Sequence, residues 1–569
     1  MKKYFYKSVS LSIISLLLAL VISCETTQLD LQDNPNELTE SSADPNFILN
    51  GLQLTFALQH LNLSAISQGP MRHTNLFGTY ASSSTSPTLN GAWASTYSIM
   101  NNLNLLESIS EARDLPNHVG MGQVLEAFAL VNLVDYIGTA VYSEAVSLDF
   151  PQPNLDSGES IYDAMYAQLN TAISNLQAEN SIVPEDFYYN GDMSKWIKLA
   201  NTLKLKMYVQ TKLVGNSNAL SDINAIIASG NYIKDLGDDF VAQANTQETN
   251  PDSRHPWFAA AYTISAGGGP YMSNDFLNTL RFGKPIEDPR LKYYIYRQTL
   301  NDPANDLLPC AGDPDFDYCY IGDGYWGRGH GDNEGIPNDN NLRSTYGVYP
   351  AGGAFDSAPS QSELITTATN EYNNLTPAEQ ANITLVDYIE NRLGSINPPT
   401  AVSSNLGGAG IHPMILSSFS KFMLAEAALP APAGLGISGS ARDYLIGGLT
   451  DSFNKVQTFS GISMDPANVT AYMDAVLIEY DATTTDEEKL NIIIREYYIA
   501  MWGNSVEAYN NYRRTGYPAL QEAVVSTTAF PRSYFIPDSE INSNDNPDLV
   551  QKQLTDQVFW DTNPAGFIN

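Results

Sequence analysis

The feature that most constrains the fold of this chain is a spacing of apolar residues at helical intervals, repeated in both halves. Between Glu159 and Gln177 the apolar residues recur at steps of four, four, four and three, which places them on one face of a helix. Those residues are Ile161, Met165, Leu169, Ile173 and Leu176. Segments that begin at Pro413 and at Ser440, and a third around Leu490, carry the same period. The pattern predicts a mainly α fold built of amphipathic helices.

The helical segments come in pairs joined by short turns rich in Gly and Pro, such as residues 429–439. Paired amphipathic helices favour a scaffold of TPR-like helical pairs, although no clean repeat of the ~34 residues typical of that class is visible. Pro413 suits the first turn of a helix. Ser440 with Asp443 is similar to a capping box. We therefore expect a helix to begin at each of these two places.

The middle of the chain has a different composition. From about Leu236 to Gly410 the residues Gly, Pro, Asp and Asn become frequent, helical periodicity fades and aromatic residues cluster. A structureless stretch of this length inside a globular chain is unusual unless it is functional. We expect a helical scaffold over residues 46–235 and 411–569, with an inserted, loop-rich ligand lobe over about 236–410.

The N-terminal residues have the pattern of an export signal. Three lysines precede an apolar run over residues 11–22, which is shorter than the ~20 residues needed to span a bilayer. The end of that run, with Cys24, resembles a bacterial lipoprotein signal, which implies removal of residues 1–23 and acylation of Cys24. Residues 24–45 then form an acidic tether. The alternative is an ordinary secretory signal that happens to be followed by a cysteine.

Charge excludes one class of partner. The chain has 29 Lys and Arg against 63 Asp and Glu, a formal net charge of -34, so a phosphate backbone would repel it and we exclude nucleic-acid binding. Only 16% of residues are charged, against about 25% in average domains. The surface must therefore be covered largely by neutral hydrogen-bonding groups and tyrosine rings.

Two cysteines remain besides Cys24. Cys310 and Cys319 lie in the middle lobe, and we expect them to form a disulfide in an exported protein. Two free thiols are the alternative. No spacing of Cys and His in the sequence is typical of a zinc site.

Alternating aspartates in the same loop give a candidate cation site. Asp313, Asp315 and Asp317 recur at every second residue, and Asp323 follows. Oxygen ligands at this spacing suit calcium, but Tyr318 stands where an EF-hand requires Gly. We expect either a structural calcium site of another type or a solvated acidic loop, and no other cofactor.

Catalytic motifs are missing from the sequence. There is no G-x-S-x-G elbow, and none of the six histidines has a recognisable catalytic context. Gly434, Gly436 and Gly439 form a GxGxxG, but it follows a helical segment instead of a strand, which favours a turn between helices. Arg513 and Arg514 would either hold a phosphate or an acidic sugar, or pair with scaffold carboxylates. We expect a protein that is not an enzyme.

Aromatic residues on the loops of the lobe are the main candidates for ligand binding. Flat rings beside neutral hydrogen-bonding groups suit sugars, whose C–H faces stack on rings. The candidates in or just after the loop between the two cysteines are Tyr318, Tyr320, Tyr325 and Trp326, and weaker candidates of the same type are Trp93, Trp257 and Tyr271. The alternative is that these rings pack the core of the lobe.

Several local sequences resemble the SusD/RagB family of nutrient-binding outer-membrane lipoproteins. The helix and turn over residues 124–146 match, with Ala140-Val141 departing from the usual Val-Pro. The other matching segments are 191–209, 287–294 (EDPRLKYY), 327–332, 347–356, 420–428 (SKFMLAEAA), 495–518 (ending YRRTGYP) and 530–537. The matches occur in order and cover most of the chain.

This resemblance implies a SusD-like fold and a lipoprotein exposed at the cell surface and anchored in the outer membrane. It further implies a lid over a SusC-like TonB-dependent transporter, which receives an oligosaccharide, or in some members a peptide, without chemistry. Contacts to ligand differ between members, so only Cys24 is carried over by position. The alternatives are a surface-anchored hydrolase that degrades glycans and a peptide-binding member of the same family.

Overall fold

Helices make up most of the chain that the computed structural model describes, which confirms the predicted mainly α fold. The described residues are 43–261, 271–297, 321–332, 343–346, 361–395, 406–458, 464–521, 523 and 527–568. The helices before the middle lobe are α1 (Pro45–Gln68), α2 (Tyr80–Ser83), α3 (Asn90–Arg113), α4 (Pro116–Ile137), α5 (Gly158–Gln177), α6 (Met193–Gln210) and α7 (Ala219–Ser229). Among the described residues, none of the helices combines the length and the apolar character needed to cross a membrane.

The remaining helices lie in the lobe and in the C-terminal part of the scaffold. Those of the lobe are α8 (Pro256–Ala261), α9 (Asn274–Arg281), α10 (Leu291–Tyr294), α11 (Gln361–Asn373), α12 (Pro377–Gln380) and α13 (Leu385–Ser395). Those after it are α14 (Ser417–Ala428), α15 (Ala441–Gln457), α16 (Pro466–Ala482), α17 (Asp486–Ala500), α18 (Ser505–Thr515) and α19 (Asp538–Ile541). Short 3-10 turns span Ser86–Leu89, Leu236–Asp238 and Leu406–Gly408.

Neighbouring helices pack in pairs, as the sequence predicts. Helix α4 packs against α5, α5 against α6, and α14 against α15. Helix α1 packs against α3 and α4 and also against α18, so the N-terminal and C-terminal parts of the scaffold interlock. Residues Pro45–Asn569 group into one compact unit, and the boundaries of the lobe within it stay a prediction.

The strands form three antiparallel pairs within the described residues. They are β1 (Thr139–Ala140) with β2 (Asp156–Ser157), β3 (Phe240–Ala244) with β6 (Gly410–Ile415), and β4 (Ile295–Tyr296) with β5 (Thr345–Tyr346). In the second pair Phe240 lies opposite Ile415 and Ala244 lies opposite Gly410. This pair joins the two ends of the lobe.

The expected helix start at Pro413 is wrong. Pro413 lies inside β6, opposite Val241 of β3, and every residue of β6 is buried. The helix begins at Ser417, whose backbone N–H donates to Asp239 at 2.7 Å. Pairing with a strand from the other side of the lobe decides the conformation here, and that contact is invisible to local periodicity.

The helix start predicted at Ser440 is present in the structure. The Ser440 side chain accepts from the backbone N–H of Asp443 and begins α15, as predicted. Residues 429–439, with their GxGxxG, connect α14 to α15, which confirms a turn between helices.

The lobe is more helical than expected. Helices α11 and α13 pack against each other, and Arg392 of α13 pairs with Glu371 of α11 at 2.7 Å. Their starts are set by local caps: Thr376 and Glu379 form a capping box before α12, and Thr384 accepts from Asp387 at the start of α13. These helices are largely exposed, so they lack the buried apolar stripe on which the prediction relied.

One buried carboxylate, Asp135 of α4, connects five parts of the scaffold. It accepts hydrogen bonds from four side chains, and its own side chain has no exposed surface. The four donors are Tyr162 Oη of α5 (2.5 Å), Lys206 Nζ of α6 (3.1 Å), Asn510 Nδ2 of α18 (2.9 Å) and Trp560 Nε1 of the C-terminal segment (2.9 Å). Each donor comes from a different element, so the carboxylate fixes the positions of these elements relative to one another.

Arg513 and Arg514 belong to this scaffold and do not face a ligand. Arg514 forms a two-point contact with the buried carboxylate of Glu426, which also pairs with Lys212 at 2.8 Å. Arg513 donates to the backbone carbonyl of Asp135 at 2.7 Å. The predicted pairing with a scaffold carboxylate is confirmed for Arg514, whereas Arg513 donates to carbonyl groups of the scaffold. Burial of both guanidinium groups leaves neither for an anion in solvent.

We predict that Asp135→Ala destabilises the fold by about 3–5 kcal/mol, because it leaves three buried donors without this acceptor and leaves the buried Lys206 ammonium with Glu507, at 3.4 Å, as its remaining carboxylate partner. Urea unfolding followed by circular dichroism measures the effect. The matched control is Asp481→Ala, which removes an exposed carboxylate paired with Arg442 and should leave the midpoint close to wild type. Equal midpoints for the two variants would contradict the role of Asp135.

Candidate functional site

Eight of the predicted site residues lie outside the described residues: Cys24, Cys310, Cys319, Tyr318, Tyr320, Asp313, Asp315 and Asp317. Their roles as lipidation site, disulfide, ring platforms and calcium ligands stay predictions. The described candidates are Trp93, Trp257, Tyr271, Asp323, Tyr325 and Trp326. Most of these lie on or beside the lobe segment over residues 321–332.

Backbone hydrogen bonds attach the 321–332 segment to the chain before α9 and to the scaffold loop around Leu76. The backbone N–H of Arg328 donates to the carbonyl of Met272, and the carbonyl of Arg328 accepts from the backbone N–H of Asn274, both at 2.9 Å. Gly331 N donates to Leu76 O at 3.0 Å. A further bond, from Asn75 N to Tyr271 O at 2.7 Å, ties the scaffold loop to the chain before α9. Three stretches of chain far apart in sequence therefore meet at one surface.

Two aromatic rings and a guanidinium group lie together at this junction. The rings of Phe77 and Tyr271 are 6.0 Å apart at 62°. The Arg328 guanidinium lies 4.4 Å from the Tyr271 ring centroid and 5.4 Å from that of Phe77. Phe77 is 45% exposed and Tyr271 is partly exposed. The cluster presents an apolar edge to solvent, held in place by a cation–π contact.

A polar pocket of about 340 Å³ lies on the same segment. Its volume is near the lower end of the range for ligand pockets, which is about 300–1,000 Å³. Its wall is formed by Arg281, Glu287, Asp288, Pro289, Lys292, Tyr293, Arg297, Asp323, Tyr325, Glu363, Met464, Asp465 and Asn468. The wall combines two tyrosines with many hydrogen-bonding groups, which is the composition that suits a small polar ligand.

Two arginines fix the Tyr325 side of the pocket. The guanidinium groups of Arg297 and Arg281 lie 4.8 Å and 5.3 Å from the Tyr325 ring centroid. Arg281 also donates to Glu287 at 2.8 Å, to Gly322 O at 2.8 Å and to the Asp323 carboxylate at 2.5 Å. The Tyr325 ring is therefore held in the pocket wall by two cation–π contacts, and little of its surface is exposed.

Burial corrects the expectation that four of the predicted rings are open stacking platforms. Tyr325 is 2% exposed and Trp326 is 3% exposed, with the Arg343 guanidinium 4.4 Å from the Trp326 ring. Trp93 lies against Tyr97 inside the scaffold. Trp257 lies 5.6 Å from Trp502 and is also buried. Tyr325 and Trp326 lie on a loop and pack against arginines, whereas Trp93 and Trp257 lie on helices α3 and α8 and pack against rings of the scaffold.

The Asp323 carboxylate is part of an ion pair. It contacts Arg281 at 2.5 Å, and the remaining proposed calcium ligands lie outside the described residues. No group of three acidic, His or Cys side chains arranged to hold a metal occurs within the described ranges. The calcium site stays a prediction.

Buried histidines are structural in this molecule. His60 Nδ1 and His412 Nε2 are 2.8 Å apart, which links α1 to β6. Burial lowers the pKa of His60 to about 3 and holds the pKa of His412 well below its usual value. His73 contacts Ser505 at 2.8 Å, and burial lowers its pKa to about 3 as well. These three groups are neutral at pH 7 and are poorly suited to acid–base catalysis there.

Sequence reasoning missed Phe77, Arg281 and Arg297. Phe77 carries the same signal that was used in the lobe, an aromatic residue beside Gly78 on a loop. It was missed because Phe77 lies outside the middle of the chain, where aromatic residues cluster among Gly and Asp. Nothing local to the two arginines indicates that they flank one ring.

Two family models match the sequence and together cover most of it. The first, a SusD-like model described as "Starch-binding associating with outer membrane", matches residues 36–307. The second, described as "Susd and RagB outer membrane lipoprotein", matches residues 411–544. Comparison with curated proteins finds no match.

Solved structures with the same fold cover nearly the whole chain. A SusD homolog from Bacteroides fragilis has 18% identity and a TM-score of 0.56, with 88% of this chain and 93% of that chain covered. A SusD/RagB family protein from Bacteroides thetaiotaomicron has 17% identity and a TM-score of 0.60, with 92% and 100% covered. A protein described as chitin-binding has 21% identity and a TM-score of 0.61, with 91% and 100% covered. This chain is similar to them in fold.

We predict that Arg281→Ala loosens the segment around Tyr325, because the substitution frees the carbonyl groups of residues 321 and 322 and the carboxylate of Asp323. Hydrogen–deuterium exchange of the peptide over residues 321–332 measures this, and we expect exchange at least tenfold faster. The matched control is Arg254→Ala, which removes exposed pairs with Asp252 and Glu248. Unchanged exchange over 321–332 would show that Arg281 does not hold the segment.

Proposed function

The chain belongs to the SusD-like family of outer-membrane proteins, and on this premise we propose that it is a glycan-binding lipoprotein that delivers its ligand to a SusC-like TonB-dependent transporter. Binding of nutrients and glycans is a property of the family as a whole. For this chain in particular we propose a ligand site, a lipid anchor at Cys24 and a transporter as partner. No bond in the ligand is made or broken.

The observation that carries this proposal is the exposed ring pair of Phe77 and Tyr271. Sugars expose flat patches of C–H groups, and a ring at the surface binds them without requiring a charge on the ligand. Arg328 lies against both rings and fixes their orientation. The rings are therefore positioned before the ligand arrives, which reduces the entropy cost of binding.

The polar pocket beside Tyr325 supports the same role. Tyr293, Asn468 and Lys292 place a hydroxyl, an amide and an ammonium group in its wall, and such groups suit the hydroxyls of a sugar. The net charge of -34 disfavours polyanionic glycans and favours neutral ones. Starch and chitin oligosaccharides are the first ligands to test, because the matched model and one similar structure carry those descriptions.

Attachment through Cys24 completes the proposed arrangement. Acyl chains on this cysteine would hold the protein at the outer membrane, since each buried methylene contributes about 0.8 kcal/mol. A protein confined to the membrane plane encounters a transporter in the same membrane by diffusion in two dimensions. Ligand captured at the surface would then be close to the transporter that imports it.

We predict that Phe77→Ala and Tyr271→Ala each weaken glycan binding by about tenfold, because each removes a ring from the contact surface. Isothermal titration calorimetry with the glycan that the wild type binds is the measurement. Phe187→Ala is the matched control, because it removes a half-exposed ring from a scaffold loop. If all three variants bind as tightly as wild type, the ring pair is not the ligand site.

The same samples separate this proposal from its alternatives. Sustained release of reducing ends from the glycan would identify a surface-anchored hydrolase and contradict a role in binding alone. Binding of peptides with no binding of any glycan would identify a peptide-binding member of the family.

We predict that Cys24→Ala releases the protein from the outer membrane, because no acyl chain remains to anchor it. Fractionation of cells labelled with a radioactive fatty acid measures both location and lipidation. Cys310→Ala is the matched control, since it removes a cysteine from the lobe and leaves the anchor intact. Continued lipid labelling of the Cys24→Ala variant would refute the anchor.

A further inference from the structure

A pocket larger than the one at Tyr325 lies between the loop after α1 and the C-terminal part of the chain. Its volume is about 680 Å³, which is within the range for ligand sites. The wall combines residues of the segments 527–532 and 555–568 with Arg72, which lies on the same loop as Phe77. Three separate stretches of chain thus build this cavity, which we call the arginine pocket.

Hydrogen bonds connect the arginine pocket to the loop that carries Phe77. The carbonyl of Thr527 accepts from the backbone N–H of Tyr80 at 2.9 Å, and Thr528 Oγ1 accepts from the backbone N–H of Ala81 at 3.3 Å. Phe77 and Tyr80 are three positions apart, a separation of at most about 11 Å. An oligosaccharide that stacks on the ring pair can therefore extend into the arginine pocket.

The inner part of the wall consists of two guanidinium groups and two apolar side chains. Arg72, Arg532, Phe530 and Ile568 are all buried. Among the described residues of the wall there is no carboxylate. This is unusual in a chain with 63 acidic and 29 basic residues. The floor of the pocket therefore offers hydrogen-bond donors next to apolar surface.

A buried carboxylate neutralises each of the two arginines. Arg72 donates to Asp275 at 2.9 Å and to the carbonyl of Gln521 at 2.5 Å. Arg532 makes a two-point contact with Asp561, whose side chain has no exposed surface. The pocket thus offers donors without a net positive charge. A neutral acceptor suits such a site better than an anion, which would lose its hydration without a net attraction in return.

One donor of Arg72 lacks an acceptor. Within the described residues its Nε is buried and makes no hydrogen bond. A buried donor that stays unpaired destabilises the protein, and nearly all such groups in folded proteins have a partner. A carbonyl oxygen that entered the pocket beside Arg72 would supply the missing acceptor.

Two residues of the wall have a left-handed backbone conformation. The φ angles are 57° at Arg72 and 66° at Thr528. This conformation is uncommon outside glycine, and for a β-branched residue such as Thr528 it is a genuine outlier. Strained residues of this kind cluster at ligand sites, where the surrounding structure maintains them. The backbone of Thr528 is therefore an independent indication that this wall binds a ligand.

The rim of the pocket carries neutral polar groups. Thr528, Thr555 and Gln557 are exposed there, beside the exposed methyl groups of Ala529 and Ala565. A few polar groups among apolar ones are typical of sites that orient a small ligand. Hydroxyl and amide groups at the rim suit the hydroxyls of a sugar ring, whose substituent would then reach the floor.

We propose that the arginine pocket receives the acetamido group of an N-acetylated amino sugar, an inference that rests on the proposed function above. The carbonyl oxygen of this group accepts from a guanidinium group, and its methyl group packs against Phe530 and Ile568. A hydroxyl at the same position of the sugar leaves the apolar part of the floor unfilled. The ligand class is therefore a neutral glycan that carries an N-acetylated sugar close to the residue on the ring pair.

Saturation-transfer NMR with single sugars tests the pocket independently of the linkage between sugars. We expect N-acetylglucosamine or N-acetylgalactosamine to bind with the largest transfer at the acetyl methyl protons, and glucose and galactose to bind about tenfold more weakly. Ala565→Trp should abolish the acetyl signal, because an indole at the rim fills the pocket and leaves both arginines in place. The matched control is Ala178→Trp, at an exposed alanine after α5, which should keep the signal.

A second variant tests the donor in the floor. Arg72→Lys keeps a positive charge beside Asp275 but removes Nε, so we expect about tenfold weaker binding of the acetylated sugar. Arg442→Lys is the matched control, because Arg442 forms an exposed pair with Asp481. Circular dichroism and thermal unfolding of each variant must match wild type. If Arg72→Lys does not fold, Ala565→Trp decides the question.

The remaining outcomes separate the acetamido site from the proposed function. Equal binding of sugars with and without the acetyl group would overturn the inference and leave the proposed function standing. Acetylated sugars that still bind to Ala565→Trp, or glucuronic acid that binds more tightly than they do, would overturn it as well. The same holds if starch oligosaccharides bind while no acetylated sugar does, either singly or in a chitin oligosaccharide. If no sugar of either kind binds, the inference and the proposed function both fail.

Discussion

The scaffold depends on the carboxylate of Asp135. A buried carboxylate is expensive to desolvate, and it is tolerated only where donors surround it. Here the donors come from α5, α6, α18 and the C-terminal segment, which are separated by up to 425 residues in sequence. A single charge thus requires that distant parts of the chain arrive together. The helical pairs supply the bulk of the core, and Asp135 determines how those pairs are assembled.

That assembly gives the ligand surface a fixed base. The loop that carries Phe77 follows α1, and α1 packs against α18, which is held by Asp135 through Asn510. The lobe segment over residues 321–332 is attached to this base by backbone hydrogen bonds, which place few demands on side chains. The scaffold therefore sets where the ring pair lies, and the lobe determines which groups surround it.

The sequence was sufficient for the parts of the fold that depend on local patterns. Helix α5 and the cap at Ser440 were predicted because their signals lie within a few residues. Strand β6 was not, because Pro413 takes its conformation from a partner about 170 residues away. The site was only partly predictable for the same reason. Tyr271 could be named as an aromatic loop residue, but its neighbour Phe77 lies almost two hundred positions earlier in the sequence, and only the fold brings the two rings together.

The pairing of β3 with β6 has a consequence for how such a protein can change over time. The register from Phe240 to Ile415 holds the two ends of the lobe side by side. Because the ends are closed by the strands, the entropy cost of a longer or shorter insertion grows only with the logarithm of its length. Exposed loops between the strands can thus be lengthened or shortened at a small entropic cost, whereas buried lobe residues such as Arg290, which pairs with Glu496 of α17, are tied to the scaffold. An architecture of this kind allows the exposed loops of the lobe to vary in length while the helical scaffold keeps its packing.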